Sequence, residues 1–177
     1  MKIIFSLITF FSLMFADDLS PDQLLLHQKV EKIASTIKDQ HGVSYEKVIS
    51  AISMTESCMG KHLVGDMPLN STDLTKASLG IMQVRLSTAR FVGHSVPEFN
   101  YISKLSNVQL ASLLLSNPTF NIKVGTSYFI LNKNKYGSLY KAISTYNGGL
   151  DNYRYVSAVL SNLKLLKSTN QFLIASN

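Results

Sequence analysis

Glu56 is the side chain in this sequence best placed to do acid chemistry. It follows Ile52 by one helical turn and Ile49 by two, so in a helix it shares their apolar face and turns inward. A carboxyl group desolvated there has its pKa raised, keeps its proton near neutral pH and suits general acid catalysis. The competing reading is a glutamate solvated at a fraying helix end beside Lys61. Other reactive residue types form no comparable constellation. His27, His41, His62 and His94 show no metal-ligand spacing such as H-E-x-x-H, so neither a metal nor another cofactor is expected. Cys58 is the only cysteine, which excludes a zinc framework or a disulfide scaffold. It reads as a buried inert thiol, the alternative being an exposed one that pairs between molecules. No G-x-S-x-G elbow, phosphate-binding glycine loop or Cys-His pair is present.

The element that must carry Glu56 is a helix opened by Ser44, with Val48, Ile49, Ala51 and Ile52 on its apolar side, ending near Gly60. Before it, Ser20-Pro21-Asp22-Gln23 is a capped helix start, and Leu26, Val30, Ile33 and Ile37 recur at helical spacing until His41-Gly42. After it, residues 61–75 hold Gly65, Asp66, Pro68, Asn70 and Asp73 with little periodicity, which predicts one long irregular loop. Ser106-Asn107-Val108-Gln109 offers a second capping box, followed by Leu110, Leu113 and Leu114. Asn117 and Pro118 open a longer helix through Val124, Tyr128 and Leu131 to Tyr136-Gly137. Residues 138–146 make a short helix that Gly148-Gly149 should end, and Asp151 caps a last one with Val156, Val159, Leu160 and Leu163. With no sustained alternating run, the expected class is all-α in the main, as one domain over residues 17–177.

Composition agrees with a folded chain. Of 177 residues 46% are hydrophobic and 10% aromatic, enough to offset the entropy of ordering. Lys2 precedes residues 3–16, eleven of which are apolar, and Asp17-Asp18 follows Ala16. This reads as a signal peptide over residues 1–16, too short for a spanning helix, which predicts a periplasmic or secreted protein with no stable membrane anchor after cleavage. No cysteine follows the apolar run, so no lipid-modified N-terminus is expected. Removing one Lys and no acid lowers the formal charge from +6 to +5. The basic residues are scattered, even Lys133 and Lys135 forming no block, so nucleic acid is not an expected partner. A positive surface suits an anionic polymer, or simply solubility.

Five short motifs follow one another from Glu56 onward: Glu56-Ser57, Gly80-Ile81-Met82-Gln83, Asn121-Ile122 with Gly125, Thr145-Tyr146-Asn147-Gly148-Gly149, and Tyr155-Val156. Their order and spacing, over about residues 44–160, resembles the soluble lytic transglycosylase family, whose domain is similar to goose-type lysozyme. The family pattern is E-S, G-L-M-Q, N-I-x-x-G, A-Y-N-x-G and Y-V. Each motif alone is weak, and five in order are a strong signal.

The resemblance implies a lysozyme-like fold and a peptidoglycan lytic transglycosylase, with glycan strands as partner. It implies that Glu56 is the catalytic acid and base and that Ser57 helps hold substrate or the acid's surroundings. Gly80 would let the backbone come close to the glycan, Gln83 would fix the groove floor, Tyr146 would hydrogen-bond near Glu56, and Asn147 would contact the sugar. Ile81 and Met82 are expected in the core, and Tyr128 and Tyr155 as packing residues with surface hydroxyls. The chain departs from the pattern at Thr145, where the family has Ala, and at Leu86, where it often has Pro. The segment between Glu56 and Gly80 is also longer than in compact members.

With one well-placed acid, the implied reaction cleaves the bond between N-acetylmuramic acid and N-acetylglucosamine and closes a 1,6-anhydro ring. Two rivals stand beside it. A hydrolytic muramidase would use Asp66 or Asp73 to position water, and a non-catalytic glycan-binding module would belong to an envelope machine. A small unanchored chain also suits local wall opening for a secretion or conjugation apparatus.

Overall fold

The computed structural model describes residues 19–67 and 70–175, with side chains up to residue 168. The expected signal peptide, residues 1–16, lies outside the described residues, as does Pro68 of the expected loop. Helix α1 (Pro21–Ala34) starts as its sequence predicts, Ser20 Oγ accepting from the Gln23 amide and Gln23 Oε1 accepting from the Ser20 amide. It stops well before His41. Ser35 and Thr36 donate their hydroxyls back to the Lys32 and Ile33 carbonyls, and the chain turns while Ile37 still packs on the core. Gln23 has a second role, since its Nε2 donates to the Cys58 carbonyl at 2.9 Å and ties the start of α1 to the end of the next helix.

That helix, α2 (Glu46–Ser57), carries Glu56 in its last turn. Ser44 does not cap it. Tyr45 is the cap residue, and the Ser44 hydroxyl donates to Glu46 instead. Val48, Ile49, Ala51 and Ile52 are buried as expected, and the helix ends where Cys58 turns left-handed at φ 49°. The Cys58 thiol is half-buried, and burial pushes its pKa up, which keeps it protonated and unreactive.

The long irregular segment is pinned by a small antiparallel ladder, β1 (Val64–Gly65) with β2 (Ser78–Leu79), which a further bridge from Leu79 to Val84 extends. Two-residue strands are too short to show alternation in sequence. A 3-10 turn over Leu74–Lys76, capped by Asp73, closes the excursion.

Helix α3 (Leu86–Ser95) and the 3-10 helix Pro97–Lys104 were not foreseen. Arg85 gives α3 no side-chain cap, and Thr88, Val92 and Gly93 are poor helix formers. The spacing of Leu86, Ala89 and Val92, all buried, was the available signal. Helices α4 (Asn107–Ser116), α5 (Pro118–Tyr136) and α6 (Leu139–Tyr146) follow as predicted, with the Ser106 capping box and the Asn117 and Ser138 caps in place. Helix α7 (Tyr153–Ala175) is capped by Asn152, which accepts from the Tyr155 amide, instead of by Asp151. Of its expected apolar face, Val156 and Val159 are buried whereas Leu160 is 48% exposed.

The arrangement is mainly α-helical. Helix α5 is apolar on several sides and packs against α1, α3, α4 and α6, while α2 packs against α1 and α7. The buried apolar residues of the described chain join in one cluster. No helix among the described residues is long and apolar enough to cross a membrane.

Candidate active site

Glu56 opens into a polar groove of about 380 Å³. Its walls come from the Asp66 loop, from Ser78, Gln83 and Arg85, from Thr88 on α3, from Tyr128 on α5, and from Tyr146, Asn147 and Gly148 at the end of α6. Burial pushes the Glu56 carboxyl up to about 7, and the charge of Asp66 across the groove acts in the same direction. Hydrogen bonds from Tyr155 and Asn147 pull it back. The competing picture of a solvated glutamate at a frayed end is therefore not what the fold contains. Lys61 is exposed and makes no ion pair with Glu56.

The Tyr155 hydroxyl donates to Glu56 Oε1 at 2.5 Å. This corrects the expectation of a surface hydroxyl, since Tyr155 is only 9% exposed and its ring lies between α7 and the end of α2. Its pKa, like that of Tyr146, is raised well above the ordinary value by burial and then by the charge of Glu56, so both remain hydrogen-bond donors. Asn147 Oδ1 accepts from Asn152 Nδ2 at 3.1 Å, which leaves its amide hydrogens to face the acid.

Tyr146 lines the groove beside Glu56, but its hydroxyl donates to the Met82 carbonyl at 2.9 Å. It thereby clamps the 80–83 turn to α6. Tyr128 likewise donates inward, to the Thr145 carbonyl at 3.3 Å, instead of into solvent.

Ser57 is buried beneath the site. Its hydroxyl lies 2.8 Å from the Ile81 carbonyl and accepts from the Gly60 amide at 2.8 Å, so it holds the acid's surroundings and does not reach the groove. Gln83 lines the groove with its backbone left-handed at φ 46°, and its Nε2 donates to the Gly80 and His62 carbonyls. An unfavourable backbone at a groove wall persists only where the surroundings over-determine it.

Gly80 is absent from the groove lining. Its φ is +75°, and a Cβ there would stand 2.4 Å from Asn121 Nδ2 and 2.6 Å from the Leu114 carbonyl. The close internal approach and the positive φ by themselves require glycine here. Asn121, for which no role was foreseen, is fully buried. It accepts from the Met82 amide at 2.7 Å and donates to the Leu79 carbonyl at 2.8 Å, so one side chain sets the turn that carries Gln83. Ile81 and Met82 are core residues as expected.

Of the two loop carboxylates, Asp66 belongs to the groove and Asp73 does not. Asp66 Oδ2 accepts from Arg85 Nη2 and from the Ser78 hydroxyl, both at 3.0 Å. Asp73 caps its own 3-10 turn through Thr75 and pairs with Lys76. No cluster of His, Cys, Asp and Glu among the described residues could hold a metal ion.

One inward carboxyl, its pKa raised to about 7 by burial and facing a polar groove, is an arrangement suited to general acid catalysis. The chain belongs to the family described as the transglycosylase SLT domain, whose model matches residues 34–161, and it is thus a glycan-cleaving enzyme of the peptidoglycan lytic transglycosylases. No curated protein and no solved structure matches the chain.

Proposed function

We propose that this enzyme cleaves the bond between N-acetylmuramic acid and N-acetylglucosamine and releases 1,6-anhydro-muramyl products. The observation that carries this reading is Glu56: a single desolvated carboxyl with its pKa raised to about 7, poised to give up a proton and take one back. Glycosidases that use water or a covalent intermediate ordinarily need two carboxylates. With one, Glu56 protonates the glycosidic oxygen, and the C1–O bond breaks toward the leaving sugar. The resulting carboxylate then accepts the proton of the muramyl 6-hydroxyl as that oxygen bonds to C1. The nucleophile is tethered to the reacting sugar, so its effective concentration is high and no water need be positioned.

Around that step the other side chains divide the work. Tyr155 and Asn147 orient the carboxyl, Gln83 and Tyr146 shape the groove, and Asn147 is proposed to meet the sugar because it lines that groove. A hydrolytic reading survives at one residue only, because Asp66 lines the same groove.

The apolar run of residues 3–16 supports export to the periplasm or beyond, with the mature chain expected to begin at Asp17. N-terminal sequencing of the mature protein tests it, and a retained Met1 overturns it. Local wall opening for a secretion or conjugation apparatus is a role we propose for this activity beside general wall turnover. Deletion of the gene should then impair transfer or secretion without altering total wall release, and an unaltered apparatus overturns that role.

The main test is mass analysis of muropeptides released from purified wall. Products one water lighter than hydrolysis products are expected, and reducible ends in their place overturn the proposal.

A further inference from the structure

Phe91 leaves half of its surface, 50%, in water beside the groove. It lies on α3 one turn beyond Thr88, which lines the groove. Its ring meets the ring of Tyr128 edge-on, with centroids 6.1 Å apart and planes at 89°. Tyr128, itself a groove residue, tilts against Tyr146 with centroids 5.6 Å apart. Three rings therefore run in a row from beside Glu56 to the open face of Phe91.

The row is firmly held. The Tyr128 hydroxyl is bound by the Thr145 carbonyl. Helix α3 is fixed by its buried Leu86, Ala89 and Val92, and by Arg90, which donates to the Ile102 and Leu105 carbonyls. The apolar face of α3 is thus already filled without Phe91. What separates Phe91 from a scattered exposed apolar side chain is that its ring touches Tyr128, which lines the groove.

A glycan strand is continuous, so it must leave the groove past one wall or another. An N-acetylhexosamine ring carries a face of C–H bonds that stacks on an aromatic side chain, and its polar edges stay in water. We propose that Phe91 is a stacking platform for a sugar of the glycan strand beyond the pair at the cleaved bond. The occupant is the strand that fills the groove, through the unbroken row of Phe91, Tyr128 and Tyr146. The inference rests on the reading that this groove binds glycan.

The test is isothermal titration of the protein with β-1,4-linked N-acetylglucosamine oligomers from dimer to hexamer. It compares wild type, Phe91→Ala and Phe91→Tyr. The loss of affinity in Phe91→Ala should grow with oligomer length, reaching about three- to tenfold for the hexamer, the range expected for one aromatic contact. Phe91→Tyr, which keeps the ring, should stay near wild type. Melting of both variants should stay close to wild type because the replaced face is exposed. Glycan binding in which Phe91→Ala loses nothing, or loses equally at every length, overturns the platform and leaves the groove reading intact. Failure of the wild type to bind any oligomer, or purified glycan strands, overturns the groove reading and the platform with it.

Discussion

The hydroxyl of Tyr155 and the carboxyl of Glu56 meet across 99 positions of sequence, the first turn of α7 against the last turn of α2. The contact ties α7 to the carboxyl that opens into the groove. Val156 and Val159 dock the helix, and the tyrosine beside them sets the rotation of the acid.

Tyr155→Phe keeps the ring and removes only that donor. The lost hydrogen bond favours the ionised form of Glu56, so its removal raises the Glu56 pKa further. The alkaline limb of the pH–rate profile should move upward. The maximum rate should fall about tenfold, in line with the worth of a hydrogen bond to a charged group. An unmoved limb with wild-type rate would reduce Tyr155 to a packing residue.

Glu56→Gln should abolish wall cleavage, since general acid catalysis is worth about two to four orders of magnitude in rate. Its effect on stability has a defined pH dependence. The folded-state pKa of Glu56 is raised from 4.5 to about 7, so the folded chain holds a proton that the unfolded chain releases between those values. Stability conferred by the protonated form is full below about pH 4.5 and is lost as pH rises through about 7. At pH 8 the amide variant should therefore be more stable than wild type by about 3 kcal/mol, and at pH 4 nearly equal to it. Urea midpoints at the two pH values measure this, and a difference that does not change with pH contradicts a buried acid.

The acid was legible in sequence because its spacing from Ile49 and Ile52 is local to one helix, and helical periodicity reports which face is inward. Its partner was not. Nothing within α7 distinguishes a tyrosine that packs from one that reaches another helix, and only the docking of α2 on α7 decides it. The same limit explains Gly80, whose neighbours Asn121 and Leu114 come from α5 and α4. Caps were readable where the polar side chain and its target lie three residues apart, as at Ser20, Ser106 and Asn117. Ser44 misled because its hydroxyl found the nearer Glu46 carboxylate. The small ladder around Gly65 and Ser78 left no periodic trace, so the segment that brings Asp66 to the groove read only as a loop.

Gly80→Ala tests whether that glycine serves the fold or the substrate. The added methyl would meet Asn121 and the Leu114 carbonyl, at a backbone angle alanine rarely adopts, and should cost about 2–4 kcal/mol. Asn121→Ala should cost about 1–3 kcal/mol, because it strands the buried Met82 amide, while the Leu79 carbonyl keeps the Val84 amide as a partner. Denaturant unfolding of both variants is the measurement. Undiminished stability with a raised KM in Gly80→Ala would return this residue to the sugar-binding surface.

Asp66 decides between ring closure and hydrolysis. It is the second carboxylate of the groove, and a hydrolase would use it to position water against C1. Its Oδ2, however, is already occupied by Arg85 and Ser78, and its negative charge helps keep the proton on Glu56. The Asp66 charge thus acts on the Glu56 pKa, and removing it has a defined consequence. Asp66→Asn removes a charge that raises the Glu56 pKa, so the alkaline limb of activity should move downward while the products remain anhydro sugars. Digestion in oxygen-18 water reads the same choice directly, because attack by the muramyl 6-hydroxyl brings in no solvent oxygen. The wild type should leave the new sugar terminus unlabelled. Label in most of the product, lost on Asp66→Asn, would make this enzyme a hydrolytic muramidase with Asp66 as the residue that holds the water.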